Sequence, residues 1–334
     1  MELEIRKRGD KIKVPLGLCR HIGSPGLLEK KNHSTGDYRL SRAKYIPGGR
    51  DLRRHYAFAI TAPVFWSLAG VVVKSLEQAT EWQINFYRCA SLAVFVAIVT
   101  LIRYRRSTLM ILRSGGFKTL VAGALLSGAM LCNVIALKYT TVAVAVFVMA
   151  AAPILAALLG KIFLGEQVNA RVWVSIAMAV VGIAIMVGGR LQVGDTFGVV
   201  VAILGIVFFG VYAVTLRVGK NVDMTPAVLY GGVIGTVVSL SVSIGTGVGL
   251  AIPWIEAMWC SLLGVVQLGL GSVLFALAAQ GVPAVQLTLF ALGEPLLAPA
   301  WVWLMLGDLP TIATLTGGAT LFAALALQIS AVKN

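Results

Sequence analysis

From residue 56 to its end the chain is a series of apolar runs of roughly twenty residues, each cut by a short polar or Gly/Pro segment. About twenty helical residues cross a hydrocarbon core of about 30 Å. Backbone in lipid must satisfy its polar groups internally, so such a chain is restricted to a bundle of membrane helices. Composition agrees: 58% of residues are hydrophobic and 13% charged, against about 25% charged in a typical soluble domain. Ten segments can be drawn, at 56–74, 83–102, 118–137, 141–163, 171–189, 196–216, 226–248, 257–278, 283–306 and 311–331. A count of nine merges or drops one, most easily the eighth. Links such as "KYTT" (138–141) and "GVPA" (281–284) suit antiparallel neighbours.

Lys and Arg set the orientation, because cytoplasmic loops carry the excess of positive charge. With the N-terminus inside, the inner loops receive Arg103, Arg105, Arg106, Arg113, Lys118, Lys161, Arg171, Arg217 and Lys220, and Lys333 lies at the end. The outer loops receive Lys74, Lys138 and Arg190. Both termini then lie in the cytoplasm, which needs an even number of spans and favours ten. Residues 1–54 differ from the rest. They hold fourteen of the 28 Lys and Arg and have no apolar run of signal-peptide length. The expectation is a basic, disordered cytoplasmic tail that meets anionic lipid headgroups rather than nucleic acid.

The chain repeats itself. With an offset of 142, Pro153 meets Pro295, Leu164 meets Leu306, Gly165 meets Gly307 and Glu166 meets Asp308. Trp66 and Lys74 lie eight apart, as do Phe209 and Arg217. Two halves follow, 55–190 and 191–334. Five spans is an odd number, so the second half runs the opposite way across the bilayer, a recurring plan of secondary transporters. The fold expected is all-α: ten transmembrane helices in two inverted five-helix repeats.

The stretches "FWSLAGVVVK" (65–74), "ALKYTTVAVAVFVMAAAPILAALLGKIFLGEQV" (136–168) and "EPLLAPAWVWLMLGDLPT" (294–311) resemble the EamA-like branch of the drug/metabolite transporter superfamily. The resemblance covers about 56–331. It implies two inverted five-helix halves, alternating access, and movement of a small metabolite, with export of amino acids or related amphiphiles as the first expectation.

Polar groups deep in the apolar runs need a reason. Glu294 sits mid-segment in "LFALGEPLLAPAW" (289–301). An ionised carboxylate there is costly, so it faces a cavity, finds a partner or stays protonated. The readings left open are a contact for a substrate amine, a proton-coupling carboxylate, or a neutral carboxyl bonded to a neighbouring helix. Arg88 either snorkels to the outer headgroups, binds a substrate carboxylate, or pairs with Glu294. Pro295 and Pro153 cannot donate to the carbonyls of Ala291 and Met149, and such kinks are tolerated where they border a cavity or protein. Trp66, Tyr212, Asn133, Gln267 and Gln286 are further candidates for the pathway, or for packing and interhelical bonds. Glu166 and Asp308 close their helices on opposite sides and either set helix ends or lock one face by pairing with loop cations such as Arg171.

An enzyme is disfavoured. All three His, at 21, 33 and 55, precede or open the first segment, and no nucleophile–base set is visible. The cysteines, Cys19, Cys89, Cys132 and Cys260, show no metal-ligand spacing. No cofactor or metal is expected. The partners expected are a small-molecule substrate and the lipid bilayer, with no nucleic acid. The reading is a secondary transporter of the inner cell membrane, proton-coupled through Glu294. A non-transporting scaffold or sensor, or an uncoupled facilitator, is the alternative.

Overall fold

The computed structural model describes residues 2–7, 10–15, 28–30, 38–40 and 49–330, apart from 69–71, 74–75, 106–107, 115, 141–144, 146–147, 188–195 and 307–310. The chain divides into two units, Met1–Gly48 and Gly49–Asn334. Within the segment expected to be a disordered tail, β1 (Glu2–Lys7) pairs antiparallel with β2 (Asp10–Pro15), and β3 (Leu28–Lys30) with β4 (Tyr38–Leu40).

The second unit is helical. Its elements are α1 (Gly49–Trp66), α2 (Glu81–Tyr104), α3 (Thr108–Ser114), α4 (Gly116–Tyr139), α5 (Ala152–Leu164), α6 (Ala170–Val187), α7 (Thr196–Val218) and α8 (Thr225–Gly245). They are followed by α9 (Trp254–Leu262), a π-helical stretch (Leu263–Leu270), α10 (Gly271–Ala278), α11 (Ala284–Ala291), α12 (Gly293–Leu306) and α13 (Ile312–Ser330). The α9, π and α10 pieces form one rod, Trp254–Ala278. Among the described residues five helices are long and apolar enough to cross a membrane: α2, α4, α7, α8 and this rod. Helices α5, α6 and α13 carry shorter apolar stretches. Each of the ten apolar segments contains helix, and the eighth, the weakest in sequence, is among the five.

The prolines act more sharply than a bend. Pro153 lies in the first turn of α5 and Pro295 in the first turn of α12. There a missing N–H costs nothing, and the residue before a proline resists helical geometry. The ninth segment is therefore broken at Leu292, whose N–H turns back to Leu289.

The pairing of helices carries the internal repeat. Taking the rod as the eighth segment and α11 with α12 as the ninth, each first-half segment can be exchanged for the one five places later. The principal pairings then correspond. Helix α4 packs on α7 as the rod's α10 packs on α1. Helix α8 packs on α4 as the rod packs on α2, and α5 lies on α7 as α11 and α12 lie on α1. The α2–α8, α6–α13 and α5–α11 pairs are their own images.

Glycine lets the α6–α13 pair close. A Cβ on Gly317 would stand 2.4 Å from the Gly182 carbonyl oxygen, and one on Gly182 would stand 2.8 Å from that of Gly317. Backbone faces backbone here, and neither helix can yield cheaply. A Gly317→Val variant is expected to lose about 1–3 kcal/mol through overpacking, read as a lowered midpoint of thermal unfolding in detergent.

Candidate functional site

Halfway along the bundle the helices part around a cavity of about 110 Å³, room for several water-sized positions or part of a small solute. Its polar lining is Arg88 of α2, Asn133 of α4, Gln267 and Ser272 of the rod, and Glu294 of α12. Its apolar lining includes Trp66, Met130, Met149 and Phe209. The residues at its edge, Ala136, Ala145 and Ala202, carry it from mid-bundle toward the end where α4 finishes and α7 begins.

Arg88 is held at this depth by the start of its helix. Thr80 and Gln83 form a reciprocal capping box, Gln83 N–H to Thr80 Oγ1 and Thr80 N–H to Gln83 Oε1, which fixes the first turn of α2. Arg88 follows about two turns in, 1% exposed. Its Nη2 donates to Gln267 Oε1 at 2.8 Å. Nε and Nη1 are buried with no hydrogen-bond partner among the described residues. A buried cation left this incompletely paired is costly, and native sites that retain one have a use for it. Snorkelling is ruled out: the guanidinium is inside the bundle.

Glu294, in the first turn of α12, borders the same cavity. The opening break at Leu292 and Pro295 sets it at a helix N-terminus, where backbone N–H groups favour negative charge. The direct ion pair with Arg88 is absent, and no hydrogen bond joins the carboxylate to another described residue. The two charges act on each other across the cavity instead. Pro153 and Pro295 themselves are buried or close-packed beside the cavity without lining it, while their neighbours Met149 and Glu294 do.

Trp66 supplies the aromatic wall. Its ring lies 5.8 Å from Phe209 and 5.1 Å from Phe275. Tyr212 is fully buried, stacks on Phe275 at 6.0 Å and is not among the residues that line the cavity. Phe209, marked in sequence only as the repeat counterpart of Trp66, lines the cavity with Cys132, Ser272 and Met149, which were not singled out as pathway residues. In an apolar helix nothing in the residue type separates a lining side chain from a packing one.

At the opposite end of the bundle polar contacts tie the helices together beside a second cavity of about 250 Å³, lined by Glu166, Asn169, Arg217 and Gln286 among others. Helix α5 ends at Gly165, whose positive φ of 63° lets the Glu166 N–H close on the Gly160 carbonyl. That turn aims the Glu166 side chain at α7, where Arg217 Nε donates to Glu166 Oε1 at 2.9 Å. Arg217 Nη1 reaches on to the carbonyls of Ala279 and Gln280 at 3.3 and 3.0 Å, beyond the end of α10. The partner of Glu166 is thus Arg217 and not Arg171. His55 Nδ1 donates to the Leu277 carbonyl at 2.9 Å, and Tyr56 donates to Gln286. One cluster therefore ties α1, α5, α7, α10 and α11 together. Asp308 and Lys74, the sequence counterparts of Glu166 and Arg217, lie outside the described residues, as do Arg106, Arg190 and Lys333.

At the cavity end, the link before α2 is clasped from both halves. Glu256 accepts from the Gln78 and Ala79 N–H groups, and Lys138 donates to the Leu76 and Ala79 carbonyls at 3.1 Å each. Among the described residues no group of His, Cys, Asp or Glu is placed to hold a metal ion.

Two sets of helices with matching principal neighbours surround a polar-lined cavity inside an apolar bundle. The profile of the EamA-like transporter family matches the chain twice, over 53–188 and 196–330, and the chain belongs to that family. It is thereby a membrane transporter of the drug/metabolite type. A solved structure, described only as the crystal structure of a protein, superposes with a TM-score of 0.72 at 18% identity. The match covers 84% of this chain and 98% of that one, a likeness of fold. No curated protein matches.

Proposed function

We propose that this protein is a secondary transporter with ten spans in two inverted repeats and both termini in the cytoplasm. It exports a small organic metabolite of amino-acid type across the inner cell membrane by alternating access. The observation that carries this reading is the pair of opposite charges, Arg88 and Glu294, set unpaired around one cavity with an aromatic wall. A zwitterion satisfies both at once: its carboxylate meets the guanidinium, its ammonium the carboxylate, and its side chain meets Trp66 and Phe209. Positive-inside orientation puts the Arg217–Glu166 cluster on the cytoplasmic side, and the cross-ties it makes between α5, α7 and α10 support reading this conformation as outward-facing. The test is flux of the twenty radiolabelled amino acids from loaded proteoliposomes. No flux of any of them above protein-free liposomes overturns the reading.

Proton coupling is assigned to Glu294. The ionisable groups that share the cavity with it are Arg88 and Cys132. A protonated carboxyl no longer attracts an ammonium group, so acidification on the outer side is expected to raise the KM for the substrate there. In a Glu294→Gln variant the KM is expected to be flat between pH 5 and 8, measured as outer-side exchange of labelled substrate. Parallel pH profiles in the two proteins eliminate Glu294 as the coupling group.

A further inference from the structure

The Arg88–Gln267 contact has a counterpart in the other half that is not polar. Gly123 and Gly264 mark equivalent crossings. A Cβ on Gly123 would stand 2.9 Å from the Ala227 carbonyl of α8, and one on Gly264 would stand 2.2 Å from the Arg88 carbonyl of α2. The two glycines are 141 residues apart, one off the repeat offset of 142. Three residues beyond each lie Leu126 and Gln267. Leu126 packs against Gly231 of α8, near Tyr230, and Gln267 bonds Arg88 of α2. The fold thus closes this crossing with an apolar contact in one half and spends a buried amide on it in the other. Packing does not require the amide.

The local backbone is also unusual. Helix α4 is regular through Leu126, whereas Gln267 lies within the π-helical stretch Leu263–Leu270. Wider turns of this kind redirect side chains and recur at functional sites. The guanidinium has donors and no acceptor, so the Gln267 amide must present Oε1 to it. Its Nε2 is left facing the Trp66 carbonyl at 3.5 Å, a weak bond. Gln267 therefore pins one nitrogen of Arg88 with a neutral, replaceable acceptor, and leaves Nε and Nη1 unpaired.

We propose that Gln267 is the specificity-determining residue of the cavity: a neutral acceptor that positions Arg88 for a carboxylate-bearing substrate without neutralising its charge. This rests on the reading of Arg88 as the carboxylate contact. A Gln267→Glu variant places a fixed carboxylate against the guanidinium. The internal pair takes over the role of the substrate carboxylate, and the cavity keeps only Glu294 as an unpaired charge. Its preference passes from amino acids to amines.

The experiment uses the full chain in proteoliposomes. The best-carried of the twenty amino acids is compared with its own decarboxylated amine in the wild type, Gln267→Glu and Gln267→Leu. In Gln267→Glu the KM for the amino acid is expected to rise at least about tenfold with kcat little changed, and the KM for the amine to fall. The ratio of the two specificities then shifts by about a hundredfold. Gln267→Leu, which only removes the positioning acceptor, is expected to raise the KM for the amino acid without favouring the amine. A merely structural glutamine predicts equal losses on both substrates in both variants, and that result overturns the inference. A wild type that carries an amino acid while the ratio stays constant in Gln267→Glu overturns it alone. A wild type that carries none of the twenty overturns it together with the reading beneath it.

Discussion

A double variant, Arg88→Met with Gln267→Leu, is expected to fold as stably as the parent or more so and to carry almost no substrate. The two outcomes pull apart because the polar contact is a poor stabiliser. A guanidinium buried with two unpaired nitrogens has lost its hydration and regained little of it. Replacing both partners of a buried polar contact with apolar groups of similar shape is often neutral or stabilising. The other half places Leu126 against Gly231 at the corresponding crossing, a precedent for an apolar contact there. Binding fares otherwise. Removing the charged partner of a desolvated carboxylate costs about 3 kcal/mol or more, so substrate flux is expected to fall more than about a hundredfold. Thermal unfolding in detergent and flux in proteoliposomes read the two effects separately. A variant that melts normally and transports normally shows that Arg88 does not touch the substrate.

The legibility of this molecule follows the severity of the solvent. Lipid imposes length and apolarity on each span, and those demands are written residue by residue, so the apolar helices and the twofold repeat could be read directly. The same severity exposed the site. An Arg, a Glu and a Gln deep in apolar helices have no cheap explanation, and the structure brings Arg88, Glu294, Gln267, Asn133 and Trp66 to one cavity. Tyr212 does not line that cavity: three residues beyond Phe209 its ring turns toward α10 and stacks on Phe275.

Partnerships were less legible than positions. For Glu166 the sequence offered a helix-end role or a loop cation such as Arg171, whereas the fold brings up Arg217 from the end of α7. Such a pairing depends on how the halves interlock and leaves no local trace. The eight-residue spacing that relates Phe209 and Arg217 to Trp66 and Lys74 marked Arg217 as a repeat position without saying what it held. The prolines were visible, but their effect was not. A proline within an apolar run reads equally as a bend or as the start of a new helix, and the break at Leu292 that puts Glu294 at a helix N-terminus is a tertiary choice.

Breaking the closed end is expected to reverse the direction the cavity faces. In an Arg217→Ala variant the bond to Glu166 and the two bonds to the carbonyls of Ala279 and Gln280 vanish together. Both side chains are mostly shielded, 13% and 20% exposed, so these are charge-assisted bonds in a drier setting than the surface. A contribution of about 2 kcal/mol to the closed arrangement shifts the balance of two conformations roughly thirtyfold when it is removed. The chain carries its own reporter. Cys132 lines the cavity and is 8% exposed, while Cys89 and Cys260 are 0% exposed in the packing. In a Cys19→Ser background, a membrane-impermeant maleimide is expected to label Cys132 from the outer side in the parent. In Arg217→Ala, outer labelling falls and labelling in inside-out vesicles rises. Glu166→Gln keeps a neutral acceptor for Arg217 and is expected to shift the balance less. Alanine also leaves the Glu166 carboxylate unpaired, and water entering from the opened end hydrates it, which adds to the same displacement. Equal labelling ratios in the parent and in Arg217→Ala show that the cluster holds helix ends together without gating the pathway.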